Sequence, residues 1–233
     1  MKNTHRNNIN YFRMGDGMRI LGAGLLIAGL LFLWLGFGWL TWILMLLFIP
    51  TGLGLFLYSS VVRASDADIA SEIEKRMDGL VFYPDEDPVL CKKVLKNTPP
   101  YVAEGYVLRE GVMLRRDKTS RLRSSEYSKA IIHILSDRLY ILHRRISLVE
   151  DTTVNLTYDV PYTSVEKVQI LRDRATLSFH NSTYPTPVTL FLLKHEGGTV
   201  TFPINDDIEA DHLVERIQKQ IQRAAEESNE NQK

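Results

Sequence analysis

The feature that most constrains this chain is a run of 43 residues, from Ile20 to Val62, that contains no Asp, Glu, Lys or Arg. The run is rich in Leu, Ile, Phe and Trp. A charged side chain at the centre of a bilayer costs about 2.5 to 3.5 kcal/mol on insertion scales, so membrane-spanning segments avoid charge. The sequence therefore predicts an integral membrane protein.

The length of the run predicts two crossings. One helix of this length would span about 64 Å, whereas the hydrocarbon core of a bilayer is about 30 Å thick. We place the turn at Gly36-Phe37-Gly38, because a turn at Pro50-Thr51-Gly52 would leave too few apolar residues for a second crossing. We expect a transmembrane helical hairpin over residues 20–62, with Pro50 inside the second helix.

The flanks of the run predict its orientation. Trp34, Trp39 and Trp42 lie beside the proposed turn, where an interfacial belt of aromatic rings is expected. Basic residues lie at the other ends of the two helices: Lys2, Arg6, Arg13, Arg19, Arg63, Lys75 and Arg76. We expect residues 1–19 and the C-terminus to be cytoplasmic, in a multi-pass protein of the cell membrane. A secretory signal peptide is the alternative, but the apolar run is too long for one.

Charge and cysteine content argue against some classes of protein. Lys plus Arg and Asp plus Glu number 28 each, so no overall field favours binding to nucleic acid. Cys91 is the one cysteine, which excludes an internal disulfide and agrees with a reducing compartment.

Residues 63–100 are predicted to be a connector. Ser65 is a suitable N-cap for a short helix that runs to about Met77, and Gly79 would end that helix. Four prolines then break the segment around a short helix near residues 89–95: Pro84, Pro88, Pro99 and Pro100.

From Tyr101 the pattern changes to strands. Eight segments are β-branched or alternate in polarity, and turn residues such as Asp173-Arg174 separate them. The segments are 101–108, 127–135, 139–148, 154–160, 165–171, 175–179, 188–193 and 199–204. Glycines in Glu196-Gly197-Gly198-Thr199 give the strongest hairpin signal, and the short links predict an antiparallel meander.

One amphipathic helix follows the strands. Asp206 is a suitable cap, and six apolar residues then recur along one helical face: Ala210, Leu213, Val214, Ile217, Ile221 and Ala224. We expect this face to cover the open end of a small barrel, and residues 228–233 to be a disordered tail.

Two stretches within the strand region resemble motifs of bacterial pleckstrin-homology-like (PH-like) membrane proteins. The stretch 134–142 is similar to the family's turn before an Arg-Leu-Tyr strand, and 158–168 is similar to its Asp-Ile-Pro-Tyr strand end. The resemblance implies an α+β fold. Residues 101–227 would form a PH-like antiparallel β-barrel or sandwich capped by the C-terminal helix. The long connector before residue 101 departs from the family plan.

A basic segment between the first two predicted strands is the candidate binding site for a lipid headgroup or a partner. Its residues are Arg115, Arg116, Lys118, Arg121 and Arg123. Eukaryotic pleckstrin-homology domains that hold phosphoinositides carry basic residues in this loop, and the stretch 118–123 resembles their Lys-x(n)-Arg-x-Arg pattern. Such side chains offer charge-assisted hydrogen bonds to phosphate. A solvated basic loop is the alternative, and residues 143–145 are a weaker candidate contact.

Motifs for catalysis are absent from the sequence. The six histidines form no metal-ligand pair, and no nucleophile elbow or phosphate loop occurs. His133 is expected to face solvent. We therefore predict no catalytic residue, metal or cofactor.

Two functions remain open. The first is a non-enzymatic membrane protein that presents a PH-like domain at the cytoplasmic face as a scaffold, binding a protein partner or anionic phospholipid headgroups. The second is an accessory subunit of a membrane transporter or channel assembly, in which the glycine-bearing helices pack on other membrane proteins or on a second copy.

Overall fold

The computed structural model describes residues 4–14, 16–35, 38–80, 93, 98–179, 182–205 and 208–230. Its helices are α1 (Thr4–Arg13), α2 (Gly17–Leu35), α3 (Gly38–Val61), α4 (Asp66–Met77) and α5 (Ile208–Glu230). Its strands are β1 (Tyr101–Tyr106), β2 (Leu114–Arg116), β3 (Leu122–Ser124), β4 (Glu126–Ile134), β5 (Arg138–Ser147), β6 (Thr152–Pro161), β7 (Val165–Phe179), β8 (Ser182–His195) and β9 (Gly198–Pro203).

The chain divides into two compact units. The N-terminal unit comprises Met1–Glu72 with Arg115–Leu122, and the C-terminal unit comprises Ile73–Leu114 with Arg123–Lys233. The predicted short helix near residues 89–95 falls outside the described residues, except for residue 93.

Two helices of the N-terminal unit, α2 and α3, are long and apolar enough to cross a membrane, judged by length and composition. The ends of these helices bracket the predicted turn, two of whose residues, 36 and 37, lie outside the described part of the chain. Pro50 lies inside α3, as predicted.

Glycines allow α2 and α3 to approach closely. A Cβ atom on Gly22 would lie 2.9 Å from the backbone nitrogen of Phe56, and one on Gly52 would lie 2.8 Å from the carbonyl oxygen of Gly22. Only a residue without a side chain fits such a contact. A Cβ atom on Gly24 or Gly54, by contrast, would meet nothing within 4 Å.

Helix α1 is an addition to the predicted plan, which treated residues 1–19 as a cytoplasmic segment without assigned structure. Tyr11 and Phe12 are buried. The side chain of Asn10 donates a 3.0 Å hydrogen bond to the carbonyl oxygen of Val62, and the backbone N–H of Ala64 donates to the carbonyl oxygen of Asn7. These contacts hold α1 against the segment that follows α3.

Helix α4 begins and ends where the sequence predicts. The backbone N–H of Asp68 donates to Ser65 Oγ (3.1 Å), and the backbone N–H of Ser65 donates to Asp68 Oδ2 (2.8 Å). This reciprocal arrangement satisfies two backbone donors at the helix start. Gly79, with φ +71°, follows the helix end.

Among the described residues, the C-terminal unit contains two antiparallel sheets that do not form a closed barrel. Of the predicted barrel or sandwich, the barrel is therefore wrong, while the α+β class is confirmed. The strand orders are β1-β4-β5-β6 and β7-β8-β9. A single 3-10 turn, Tyr162–Ser164, lies between β6 and β7, and it carries the chain from one sheet to the other. A further pair, β2 and β3, was not predicted.

Both sheets and α5 contribute to one apolar core. Phe191 and Phe202 stack with ring centroids 5.0 Å apart. Ala210, Leu213 and Ile217 of the predicted helical stripe are fully buried in this cluster. The proposed cap, Asp206, lies outside the described residues, and α5 extends to Glu230, three residues into the segment predicted as a disordered tail.

One predicted turn is absent from the second sheet. Asp173 and Arg174 lie inside the 15-residue strand β7, opposite Val188 and Pro187 of β8. The prediction of two separate strands is therefore wrong, because continuous pairing with β8 outweighs the local turn preference of Asp.

Candidate functional site

A cavity of about 550 Å³ lies in the N-terminal unit, where α2 begins and α3 ends. Five cationic side chains line it: Arg19, Arg63, Arg115, Arg116 and Lys118. Its three carboxylates are Asp16, Asp66 and Asp117, and its apolar lining includes Ile20, Ala23 and Phe56. The lining is therefore amphipathic and carries an excess of positive charge.

Arg115 is a buried part of this unit. Its Nη1 donates to the carbonyl oxygens of Tyr11 and Met14, the latter at 2.9 Å, and its guanidinium lies 4.6 Å from the centroid of the Tyr11 ring. The last carbonyl groups of a helix have no partner within the helix and attract cations. Arg115 therefore closes the C-terminal end of α1. Burial, with a contribution from Arg63, lowers the pKa of Arg115 from its ordinary value, but an arginine stays charged at neutral pH.

Two guanidinium groups converge on Asp16. Its Oδ1 lies 2.8 Å from Arg63 Nη1 and 3.2 Å from Arg115 Nη2. The hydrogen bond from Arg63 lowers the pKa of Asp16, and the charge of Arg115 adds to this effect against the opposing effect of burial. Asp16 is therefore ionised at neutral pH and offsets part of the positive charge of the two arginines.

Asp66 and Asp117 shape the other wall of the cavity. Asp66 accepts hydrogen bonds from the hydroxyl of Tyr11 (2.6 Å) and from the backbone N–H of Lys118 (3.2 Å). Asp117 Oδ1 accepts from the backbone N–H groups of Thr119 and Arg121, both at 2.9 Å. Both carboxylates thus hold the backbone of the turn between β2 and β3, which carries Arg116 and Lys118.

Three cations of the cavity are exposed. Arg116 and Lys118 lie on the turn, and Arg19 lies at the start of α2 with its guanidinium 5.4 Å from the centroid of the Phe56 ring. Exposed guanidinium and ammonium groups beside an apolar wall provide charge-assisted donors for a phosphate or carboxylate that carries an apolar chain.

The structure separates the five predicted binding residues. Arg115, Arg116 and Lys118 line the cavity. Arg121 is exposed and is not part of the lining, and Arg123 belongs to the C-terminal unit, with its guanidinium 5.9 Å from the centroid of the Tyr106 ring. The sequence treated Arg19 and Arg63 only as flanking charges. Their positions at the start of α2 and just after the end of α3 were the signal that would have placed them together.

The second predicted contact, residues 143–145, forms no single basic surface. His143 is buried, Arg145 is exposed, and Arg144 donates to the carbonyl oxygens of Arg76 (2.9 Å) and Asp78 (2.8 Å). Arg144 therefore acts as a C-terminal cap of α4.

Two buried histidines lie in the first sheet. His143 Nε2 lies 2.8 Å from Ser128 Oγ, and both side chains are buried, so the pair does not form an accessible nucleophile. Burial, with a smaller effect of Arg145, lowers the pKa of His143 to about 4, and burial lowers that of His133 to about 4. The prediction that His133 faces solvent is wrong.

The two motifs that carry the family resemblance contact each other. Tyr162 Oη donates a 2.8 Å hydrogen bond to the carbonyl oxygen of Leu135, and Arg138 pairs with Asp159 at 2.9 Å. Burial acts to raise the pKa of Asp137, but hydrogen bonds from Arg138 and Lys93 outweigh it and lower that pKa. These residues join β4, β5 and the end of β6, so their role here is structural.

Comparisons with protein-family models, curated proteins and solved structures find no match. The PH-like resemblance stays a prediction from the two motifs. Among the described residues, no group of three or more His, Cys, Asp or Glu side chains is placed to hold a metal ion.

Proposed function

We propose that this chain is a non-enzymatic integral membrane protein that binds anionic phospholipid headgroups at the cytoplasmic face. Two apolar helices anchor it, and the cavity at their charged end holds the lipid phosphate. The β-rich C-terminal unit, which we interpret as PH-like, is thereby presented to cytoplasmic partners.

The surfaces of α2 and α3 support the membrane location. Trp34 and Trp39 are 82% and 75% exposed, and most apolar side chains along both helices are also exposed. Apolar surface on this scale is unfavourable in water and favourable in lipid. The helices have 19 and 24 residues, about 28 and 36 Å, which suits a hydrocarbon core of about 30 Å.

The single observation that carries the headgroup proposal is the composition of the cavity. Exposed cations and an apolar wall that includes Ile20 and Phe56 meet at the end of the two helices where basic residues cluster. A phospholipid has the matching arrangement, a phosphate joined to apolar chains. Each basic residue near an anionic leaflet contributes about 1 kcal/mol.

A matched pair of triple variants tests this site. Replacing Arg19, Arg116 and Lys118 with Gln removes the three exposed cations of the cavity. Replacing Arg145, Arg174 and Lys219 with Gln removes two arginines and one lysine that are also exposed but lie outside it. The full chain in detergent is titrated with phosphatidylglycerol or phosphatidylcholine, and bound lipids are counted by native mass spectrometry.

We expect the cavity variant to lose phosphatidylglycerol affinity by about 1 kcal/mol for each removed charge, and the control to bind as the parent does. Phosphatidylcholine binding should change little in either variant. Equal losses in both variants would show that the cavity is not the headgroup site.

Thiol labelling tests the topology separately. In a Cys91→Ser background, a cysteine at Lys219 should react with a membrane-impermeant reagent only when the cytoplasmic face is opened. Labelling in intact cells would contradict the proposed orientation.

The second candidate, an accessory subunit of a transporter or channel assembly, has one observation in its favour. The backbone at Gly24 and Gly54 is open, which allows close packing of another membrane helix. Cross-linking in membranes that yields only the single chain would count against it.

A further inference from the structure

Strand β6 forms one edge of the four-stranded sheet. It pairs with β5 over its whole length, from Thr152 opposite Ser147 to Pro161 opposite Arg138. Within the part of the chain that the structure describes, no strand pairs with its other side. Such an edge presents a row of backbone donors and acceptors that another strand can use.

The free edge of β8 is protected differently. Strand β9 pairs with β8 only as far as Leu190, so the part of β8 before that residue has one free side. The backbone N–H of Ile204 donates to the carbonyl oxygen of Thr189. The backbone polar groups of Thr189 therefore point to this side, and so do those of every second residue before it. Two of them are Pro185 and Pro187, which have no N–H to offer to a further strand.

Strand β6 has no comparable protection. Between Thr152 and Val160 it contains no Pro, Lys or Arg, and its one charged residue, Asp159, is paired with Arg138. Natural sheets usually protect a long free edge with proline or lysine. The contrast with β8 indicates that another polypeptide segment covers the edge of β6.

The side chains of β6 indicate what covers it. Val160, Tyr158, Leu156 and Val154 lie on the core face, opposite Leu139, Ile141, His143 and Arg145 of β5. Val160 is buried, whereas Leu156 and Val154 are 40% and 38% exposed. This row of apolar side chains therefore begins in the core at Val160 and ends at exposed positions.

We propose that β6 pairs antiparallel with β6 of a second copy of this chain, about a two-fold axis at Leu156. Leu156 then lies opposite Leu156 of the second copy, and Val154 lies opposite Tyr158. On the other face of the sheet Asn155 meets Thr157, and Thr153 meets Asp159. Apolar residues thus pair with apolar residues and polar residues with polar ones, as an isologous interface requires.

Charge disfavours one of the two neighbouring registers. An axis at Asn155 would place Asp151 of one copy opposite Asp159 of the other, and like charges directly opposite each other destabilise a sheet. With the axis at Leu156, Asp151 meets Pro161 and the two acidic residues are separated.

Disulfide cross-linking of the full chain in membranes tests the register. Cys91 is the one native cysteine, so Cys91→Ser gives a clean background. Leu156→Cys should form a covalent dimer under mild oxidation, because directly opposite residues bring their Cβ atoms close enough. The matched control is Tyr184→Cys, an exposed position on β8. We expect several-fold more dimer from the Leu156 variant, and equal yields would overturn the proposal.

Co-expression of two different cysteine variants gives a second test of the register. Asn155→Cys and Thr157→Cys should cross-link well when the two variants are co-expressed and poorly when each is alone. Efficient cross-linking of the Asn155 variant with itself would overturn the register. Val154→Lys should reduce cross-linking at Leu156 by disrupting the apolar row, and unchanged cross-linking would count against β6 pairing.

Discussion

The two units distribute apolar and charged side chains in opposite ways. In the N-terminal unit most apolar residues of α2 and α3 are exposed, while Arg115 is 8% exposed. In the C-terminal unit Phe191 and Phe202 are buried, and charged groups such as Arg145 face outward. The same chain thus carries surfaces suited to two solvents, since exposed apolar side chains suit lipid and exposed charged side chains suit water.

The forces that stabilise the two units differ accordingly. Burial of apolar surface from water stabilises the C-terminal unit. The N-terminal unit depends on close backbone contact at Gly22 and Gly52 and on hydrogen bonds to Arg115. Substitutions chosen in each unit, with the effect followed by hydrogen exchange in both, test this comparison directly.

The largest effect is expected from Phe191→Ala in the apolar core. Removing a buried phenylalanine side chain typically costs about 3 to 5 kcal/mol. The free energy that protects the amides of the two sheets from hydrogen exchange should fall by this amount, while that of the α2 and α3 amides should not change. Tyr184→Ala, at a 46% exposed position, is the control and should change little. Equal loss of protection in both units would show that α2 and α3 also depend on this core.

Arg115→Met should destabilise the N-terminal unit by about 2 to 3 kcal/mol, because the carbonyl oxygens at the end of α1 lose their donor. Exchange of the α1 amides reports the change. Arg116→Met, at an exposed position, is the matched control. An unchanged or more stable α1 in the Arg115 variant would show that the buried charge is dispensable.

Acid should affect the two units in different pH ranges. The folded pKa of His143 is about 4 against about 6.5 for the free side chain, so the unfolded state binds more protons between these values. Stability of the C-terminal unit should fall as pH drops through this window, by about 2 kcal/mol at pH 5 for this histidine.

Asp16 behaves differently. Its pKa is lowered below 3.8 in the folded state, so its contribution is lost only as pH falls below that value. The N-terminal unit should therefore keep its protection at pH 5. His143→Gln should reduce the response of the C-terminal unit by about half, because His133 keeps a pKa lowered to about 4, whereas His212→Gln, at an exposed position, should change it little. Parallel acid sensitivity of both units would contradict this assignment.

The smallest effect is expected at the helix contact. Gly22→Ala places a methyl group 2.9 Å from the backbone of Phe56, and overpacking of this kind costs about 1 to 3 kcal/mol. Gly24→Ala meets open space and should be neutral or slightly stabilising. Hydrogen exchange of the α3 amides, measured in detergent or nanodiscs, distinguishes the two variants. Similar behaviour of both variants would show that α2 and α3 do not depend on this contact.

Local patterns predicted much of the fold. The Ser65 cap, the turn at Glu196-Gly197, and the buried stripe of Ala210, Leu213 and Ile217 were all predicted from short-range spacing. Each depends on residues within a few positions of one another, so the sequence carries the information directly.

The candidate site was predicted only in part. Arg116 and Lys118 were recognised as exposed cations, but Arg115 was expected to be exposed with them. Its partners in α1 are about a hundred positions away, as in the hydrogen bond to Met14, and no local pattern reveals them. His133 was misplaced for a related reason, because strand alternation does not show that both faces of β4 are covered.

Local sequence patterns are enough to predict two apolar helices, a strand-rich region and a C-terminal amphipathic helix, because charge-free length and residue periodicity act locally. Tertiary packing, by contrast, sets three features: the sheets do not close into a barrel, β7 is one strand, and five cations line one cavity. These outcomes depend on which distant segments pair and which charges find partners. Those choices follow from the free energy of the whole packed chain rather than from any short stretch of it.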